Sequence, residues 1–203
     1  MSTETKDQQI RKAAISSGII LGIASTILTV FSFYFTTGMT TNFWLIIGSP
    51  LIFAILLPIV VASFITRDLR KKIGGFWNFR QATSGIFIMF VISAIISSLF
   101  YSLVFSKIIE PQSVEKSKVA TGNAVTAMME KANASQSDID KAVDDINKKF
   151  DEQADITFGK ILMNIGISLI VWFIVSLIFA AIFKKDPPAY IDADNYSPPQ
   201  PSV

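Results

Sequence analysis

The sequence predicts an all-α integral membrane protein: four transmembrane helices, with an extracytoplasmic helical hairpin inserted between spans three and four. Three observations carry this expectation. Runs at 13–35, 43–66, 82–106 and 161–183 contain no charged side chain, and about 20 apolar residues suffice for a helix to cross the ~30 Å hydrocarbon layer. Charged residues make up only 17% of the 203-residue chain, against roughly 25% in soluble domains. The charge that is present is gathered between the runs, most densely in RDLRKKIGGFWNFR at 67–80, which holds five of the 18 basic residues.

The first run exceeds the roughly 7–15 residues of a signal-peptide core and has no small-residue cleavage site behind it, so it is read as a retained helix. Within it, GIILG places Gly18 and Gly22 one turn apart, with Ser25 and Thr29 on the same face. Small residues let membrane helices approach closely, so this face is a packing surface, either within the chain or between two copies. The uncharged loop TTGMTTN then leads to the second run, which contains Pro50 and Pro58. Each proline removes a backbone donor, and a kinked helix is the simplest outcome.

The basic loop sets the expected orientation, because short Lys/Arg-rich loops remain in the cytoplasm. Arg67, Arg70, Lys71, Lys72 and Arg80 place it inside, and four spans then place both termini inside. Arg11, Lys12, Lys184 and Lys185 agree. The expected location is a bacterial inner (cytoplasmic) membrane. Gly74 and Gly75 supply a turn, after which Phe76, Trp77 and Phe79 read as aromatic rings at headgroup depth beside snorkelling cations. Arg67, Arg70, Lys71, Lys72, Trp77 and Arg80 are therefore the candidate lipid-headgroup residues, the alternative being that they only fix topology. In the third run Ala94, Ser98 and Ser102 form another small-residue stripe. Span one is expected to pack on span three or four along these faces, and Asn164 in span four is a candidate interhelical hydrogen-bonding residue.

Segment 107–159 has a different composition, with seven lysines against ten acidic residues. Val125, Met128, Met129 and Ala132 follow helical spacing. Asn133 to Asp138 reads as a turn with Ser135 as the next helix's cap, and Ile139, Val143, Ile146, Phe150 and Ala154 form a second stripe. Two helices with one thin apolar face each make a hairpin. Val125, Met129, Ile146 and Phe150 either pair with each other or dock a partner. DDIN at 144–147 reads as a solvated acidic face, since Lys148 and Lys149 compete for its carboxylates. The chain thus divides into 1–106 (N-terminal segment and spans one to three), 107–159 (hairpin), 160–185 (span four) and 186–203, a proline-rich tail expected to be disordered on the cytoplasmic side.

No cysteine and no histidine occur, which removes thiol and imidazole chemistry. No cofactor or metal is implied, and a net charge of +2 gives no reason to expect nucleic acid as a partner. Membrane lipids, and a protein partner or a second copy, are the expected partners. The expected function is non-enzymatic: binding or scaffolding another membrane component through the hairpin and the small-residue faces. The alternative is a small channel or carrier for an uncharged or lipid-like solute, using the second span with Ser93, Ser97 and Asn164.

The order of these features resembles a family of small bacterial membrane proteins catalogued as domain of unknown function 4199. The matching residues are Lys71, Lys72, Gly74, Gly75, Phe76, Phe79 and Ala82 in the basic loop, with SLIFAAIFKK at 176–185 closing the last span. The resemblance covers roughly 13–185, while the tail departs from it. It implies a four-span helical protein with a polar helical insert, and no catalytic residues.

Overall fold

The computed structural model describes residues 5–154 and 158–187, so the expected disordered tail lies, from residue 188 onward, outside the described residues. Helix α1 runs Lys6–Tyr34 and ends in a π-helical turn, Phe35–Met39. Its start is fixed by Thr5, whose backbone N–H donates to Gln8 Oε1 at 3.0 Å, half of a capping box. Helices α2 (Phe43–Leu51) and α3 (Leu57–Lys72) follow, joined without a break by a π-helical stretch, Ile52–Leu56. That stretch lies between Pro50 and Pro58. A proline cannot donate to the carbonyl four residues back and crowds it, and a turn widened by one residue relieves the conflict.

Helix α3 ends in a Schellman motif written by the Gly-Gly pair. Gly74 N–H donates to the Lys71 carbonyl (3.2 Å) and Gly75 N–H to the Arg70 carbonyl (2.9 Å). Both glycines have positive φ, 97° and 82°, a region where a Cβ is strained. Helix α4 (Phe79–Leu99) starts on a second capping box: Asn78 Oδ1 accepts from Gln81 N–H at 2.9 Å, and Asn78 N–H donates to Gln81 Oε1 at 3.2 Å. A long π-helical segment, Phe100–Ile109, extends α4 to the break before Pro111. The hairpin is α5 (Ser113–Lys131) and α6 (Gln136–Ala154), and the chain returns through α7 (Phe158–Phe183).

Among the described residues, four helical spans are long and apolar enough to cross a membrane: Lys6–Met39, Phe43–Lys72, Phe79–Ile109 and Leu162–Phe183. The first three reach past their charge-free runs because backbone hydrogen bonding continues into the flanking polar residues. Helix α1 is the centre of the bundle, packed on α4 and α3, while α7 packs on α4.

The α1/α4 seam is close because of the glycines. A Cβ on Gly18 would lie 2.8 Å from both Ile92 Cβ and the Met89 carbonyl oxygen, and one on Gly22 would lie 3.0 Å from Ile96 Cβ. Beside them Ser97 Oγ donates to the Gly22 carbonyl at 3.2 Å and Thr26 Oγ1 to Ser97 Oγ at 3.3 Å. The seam on α4 is therefore Met89, Ile92, Ser93, Ile96 and Ser97. The expected stripe is rotated away: Ala94 is half-buried, and Ser98 and Ser102 are exposed, with Ser102 Oγ donating to its own helix at Ser98 (2.8 Å).

The core is gathered at the end of the bundle that carries the basic loop. Ile10, Ala14, Leu69, Ile73, Trp77, Ala82, Ile86, Phe179 and Phe183 pack into one buried cluster there. Towards the hairpin end a smaller aromatic group holds α1 to the extension of α4, with Phe33 edge-on to Phe105 at 5.1 Å and Tyr101 stacked on Phe105 at 5.3 Å. Most large apolar side chains of the spans are exposed, among them Ile19, Ile27, Leu162, Ile170 and Ile182. In water such a surface would be untenable, whereas lipid is its natural solvent.

Candidate functional site

At the hairpin end, α5 lies across the start of α2 and the π-helical turn of α1, and α6 packs on α5. The seat of α5 is Ala124, 1% exposed, a side chain small enough to bring the two backbones close. Three features place it. Glu110, in the break after α4, pairs with Lys116 at 2.9 Å. The end of α5 is a second Schellman motif, with Asn133 at φ 53°, Asn133 N–H donating to the Glu130 carbonyl and Ala134 N–H to the Met129 carbonyl, both at 3.0 Å. Ser135 then caps α6, its Oγ accepting from Asp138 N–H (3.3 Å) and donating to Asp138 Oδ2 (2.6 Å).

Between α5 and the α1–α2 connection opens a crevice of about 700 Å³, lined by Tyr34, Thr37, Thr41, Asn123, Lys131 and neighbouring residues. A second hollow of about 340 Å³ adjoins it, sharing Thr41, Ala124, Ala127 and Lys131 and reaching Trp44 and Met128. Thr36 and Thr37 turn their hydroxyl hydrogens onto the carbonyls of Ser32 and Phe33 at 3.0 and 2.8 Å. The α1–α2 side of the crevice therefore offers mainly hydroxyl oxygens and apolar carbon, while the α5 side carries the charged residues Glu115, Lys116 and Lys131. Of the crevice residues named here, only Met128 stood out in the sequence. The threonine-rich TTGMTTN was the available signal.

The four expected docking residues occupy the facing helices of the hairpin: Val125 and Met129 on α5 and Ile146 and Phe150 on α6, all half-buried. Ile139 is the most buried residue of α6, at 4% exposure, and Lys118 pairs with Asp151 at 3.1 Å across the two helices. The side chain of Ala154, the last of the expected stripe, lies outside the described residues. Among the described residues, no group of three or more acidic side chains is placed to hold a metal ion.

At the opposite, basic end the six expected headgroup residues part company. Trp77 requires a correction: expected at headgroup depth, it is 0% exposed. Its indole Nε1–H donates to the Phe183 carbonyl at 2.9 Å. Its backbone exchanges two hydrogen bonds with Lys185, at 2.9 and 3.2 Å. Gly85 leaves the ring its space, since a Cβ there would lie 3.3 Å from Trp77 Cζ3. Arg70 Nη1 donates to the same Phe183 carbonyl at 3.1 Å, so these two side chains complete the C-terminus of α7, where helix carbonyls lack intrahelical partners.

Arg67 is exposed and lies over the rings of Phe64 and Phe183, 5.9 and 5.8 Å from their centroids. Lys72 pairs with Asp68 at 2.8 Å. Lys71 and Arg80 are exposed. Asn164, the expected interhelical hydrogen-bonding residue, is also exposed, and no hydrogen bond joins it to another helix among the described residues. The half of α7 that bears it has few neighbours.

No curated protein and no solved structure matches the chain. A family model does, that of the proteins of unknown function designated DUF4199, over residues 16–185. That match takes in all four spans, the basic loop with its Gly-Gly turn, and the hairpin, and the chain belongs to this family.

Proposed function

We propose that this is a non-enzymatic protein of a bacterial inner (cytoplasmic) membrane. It binds another membrane component at its hairpin end, with the basic loop and both termini on the cytoplasmic side. The observation that carries the reading is the crevice between α5 and the α1–α2 connection. A hairpin that served only to join two spans would need no fixed seat. Here α5 is anchored on α2 through Ala124, and a polar-floored hollow of about 700 Å³ remains beside it. Lining residues come from three separate elements, an arrangement suited to recognition. The positive-inside rule supports the orientation, with all four arginines at the basic end.

The channel or carrier alternative draws less support. Ser97 is packed in the α1/α4 seam with its hydroxyl bonded to Gly22, Ser93 is buried, and Asn164 is exposed, so the three do not converge.

The test is photo-cross-linking in intact membranes from probes at Asn123, Val125 and Phe150, followed by purification in mild detergent. The expected result is one stoichiometric adduct, a partner protein or a second copy, from Asn123 and at least one hairpin position. Cross-links to solvent alone from all three positions, with a monomer in detergent, would contradict the proposal.

A further inference from the structure

The basic end holds a feature that the hairpin reading does not use. Between helices α4 and α7, beside Phe79, lies an outward-facing groove of about 530 Å³. It is flanked by Phe79 on α4 and Leu177 on α7, with Thr83 on its floor and Arg80 at its mouth. Its far end is closed by Phe87 and Phe173, whose rings meet edge-on with centroids 5.8 Å apart. Thr83 donates its hydroxyl hydrogen to the Phe79 carbonyl at 2.9 Å, so the floor presents no unsatisfied donor to hydrocarbon. From Phe79 to Phe87 the groove runs ~12 Å along α4 at the helical rise of about 1.5 Å per residue. That matches the upper part of one leaflet, roughly 15 Å deep. A partner transmembrane helix would need a track about twice that long.

Arg80 decides which occupant fits. It is exposed, and among the described residues no carboxylate lies within ion-pairing distance of it. Its neighbours in sequence are otherwise engaged: Arg70 on the end of α7, Lys72 on Asp68 and Arg67 over two aromatic rings. A guanidinium at the edge of the hydrocarbon layer snorkels to phosphate depth and binds phosphate through two parallel N–H donors. An apolar furrow just below it takes a hydrocarbon chain. We propose that the α4/α7 groove is a specific site for one anionic phospholipid, with its phosphate on Arg80 and an acyl chain lying between Phe79 and Leu177 and ending against Phe87 and Phe173. The net positive charge of this end selects an anionic headgroup over a zwitterionic one.

The test is native mass spectrometry of the full-length protein released from detergent. Phosphatidylglycerol is titrated against phosphatidylcholine with the same acyl chains. The expected result is one phosphatidylglycerol retained per chain in preference to phosphatidylcholine. Arg80→Gln is expected to weaken that retention on the order of tenfold, Arg80→Lys less, and Lys71→Gln hardly at all. Thr83→Phe, which fills the groove and leaves the charge in place, should also expel the lipid, and it carries the test if Arg80→Gln fails to fold. Retention unchanged in both Arg80→Gln and Thr83→Phe would overturn the proposal. So would equal retention of the two lipids, or an equal loss with Lys71→Gln. None of these outcomes bears on the hairpin crevice at the other end of the bundle.

Discussion

The Trp77 indole and the Arg70 guanidinium donate to one acceptor, the Phe183 carbonyl, at 2.9 and 3.1 Å. A loop between spans two and three thereby closes the end of span four, more than 100 residues later in the chain. Because Trp77 is fully buried, its N–H has no water to fall back on. Trp77→Phe is expected to lower stability by about 1–3 kcal/mol, the cost of a buried hydrogen bond with loss of some packing. Arg70→Met should cost less while the indole remains, and the double variant should show non-additive coupling of about 0.5–3 kcal/mol. Thermal unfolding in a fixed detergent checks all three.

The glycines of span one make a sharper contrast. Gly18→Ala puts a methyl group 2.8 Å from the Met89 carbonyl, backbone that cannot turn aside as a side chain could. A loss of about 1–3 kcal/mol is expected from such overpacking. Gly166 on α7 has no heavy atom within 4 Å of where its Cβ would stand. Gly166→Ala should be neutral or slightly stabilising, as a glycine removed from a helix interior. Equal effects at the two positions would mean that the α1/α4 seam is not as close as described.

Two helix ends rest on left-handed residues, and each makes its own forecast. Gly75→Ala, at φ 82°, should cost ~1 kcal/mol or more, since a Cβ is disfavoured there. At Asn133, φ 53°, glycine should be tolerated or mildly stabilising, and Asn133→Val should destabilise by about 1–2 kcal/mol. Helicity and unfolding midpoints of the three variants read this directly.

The hairpin is the least buried unit and should open alone. Ile139→Ala removes the most buried side chain of α6, a loss of about 2–5 kcal/mol in a full core and towards the lower figure here. Hydrogen exchange of α6 should then accelerate while α1 and α4 keep their protection. Lys118→Ala breaks an ion pair whose Asp151 partner is 72% exposed, so it should change stability by no more than about 1 kcal/mol.

The spans, the Gly74-Gly75 turn and the Asn133–Asp138 turn were legible in the sequence because each is a local matter. Charge-free length, a glycine pair that accepts positive φ and a Ser-x-x-Asp cap all act within a few residues. Trp77 was not legible in that way. Beside arginines at a span's edge an indole reads as interfacial, and only the carbonyl of Phe183, from the far end of the chain, gives it a buried place. The seam on α4 was missed for a related reason. That helix is apolar nearly all round, so periodicity does not show which stripe meets Gly18 and Gly22, and Ala94, Ser98 and Ser102 had no stronger claim than Ser93 and Ser97. The crevice under α5 was invisible because it is built by a loop and a helix separated by about 80 residues.

The arrangement of the two ends on opposite faces of a bilayer is tested most directly by thiol labelling, which the absence of native cysteine makes unambiguous. Lys71→Cys reports the basic end and Ser137→Cys the hairpin tip, both positions being exposed. An impermeant maleimide added to intact spheroplasts should label the hairpin position and leave the loop position untouched until the membrane is opened. Labelling of the loop position alone would invert the orientation, and labelling of both in sealed cells would contradict a membrane-crossing bundle altogether.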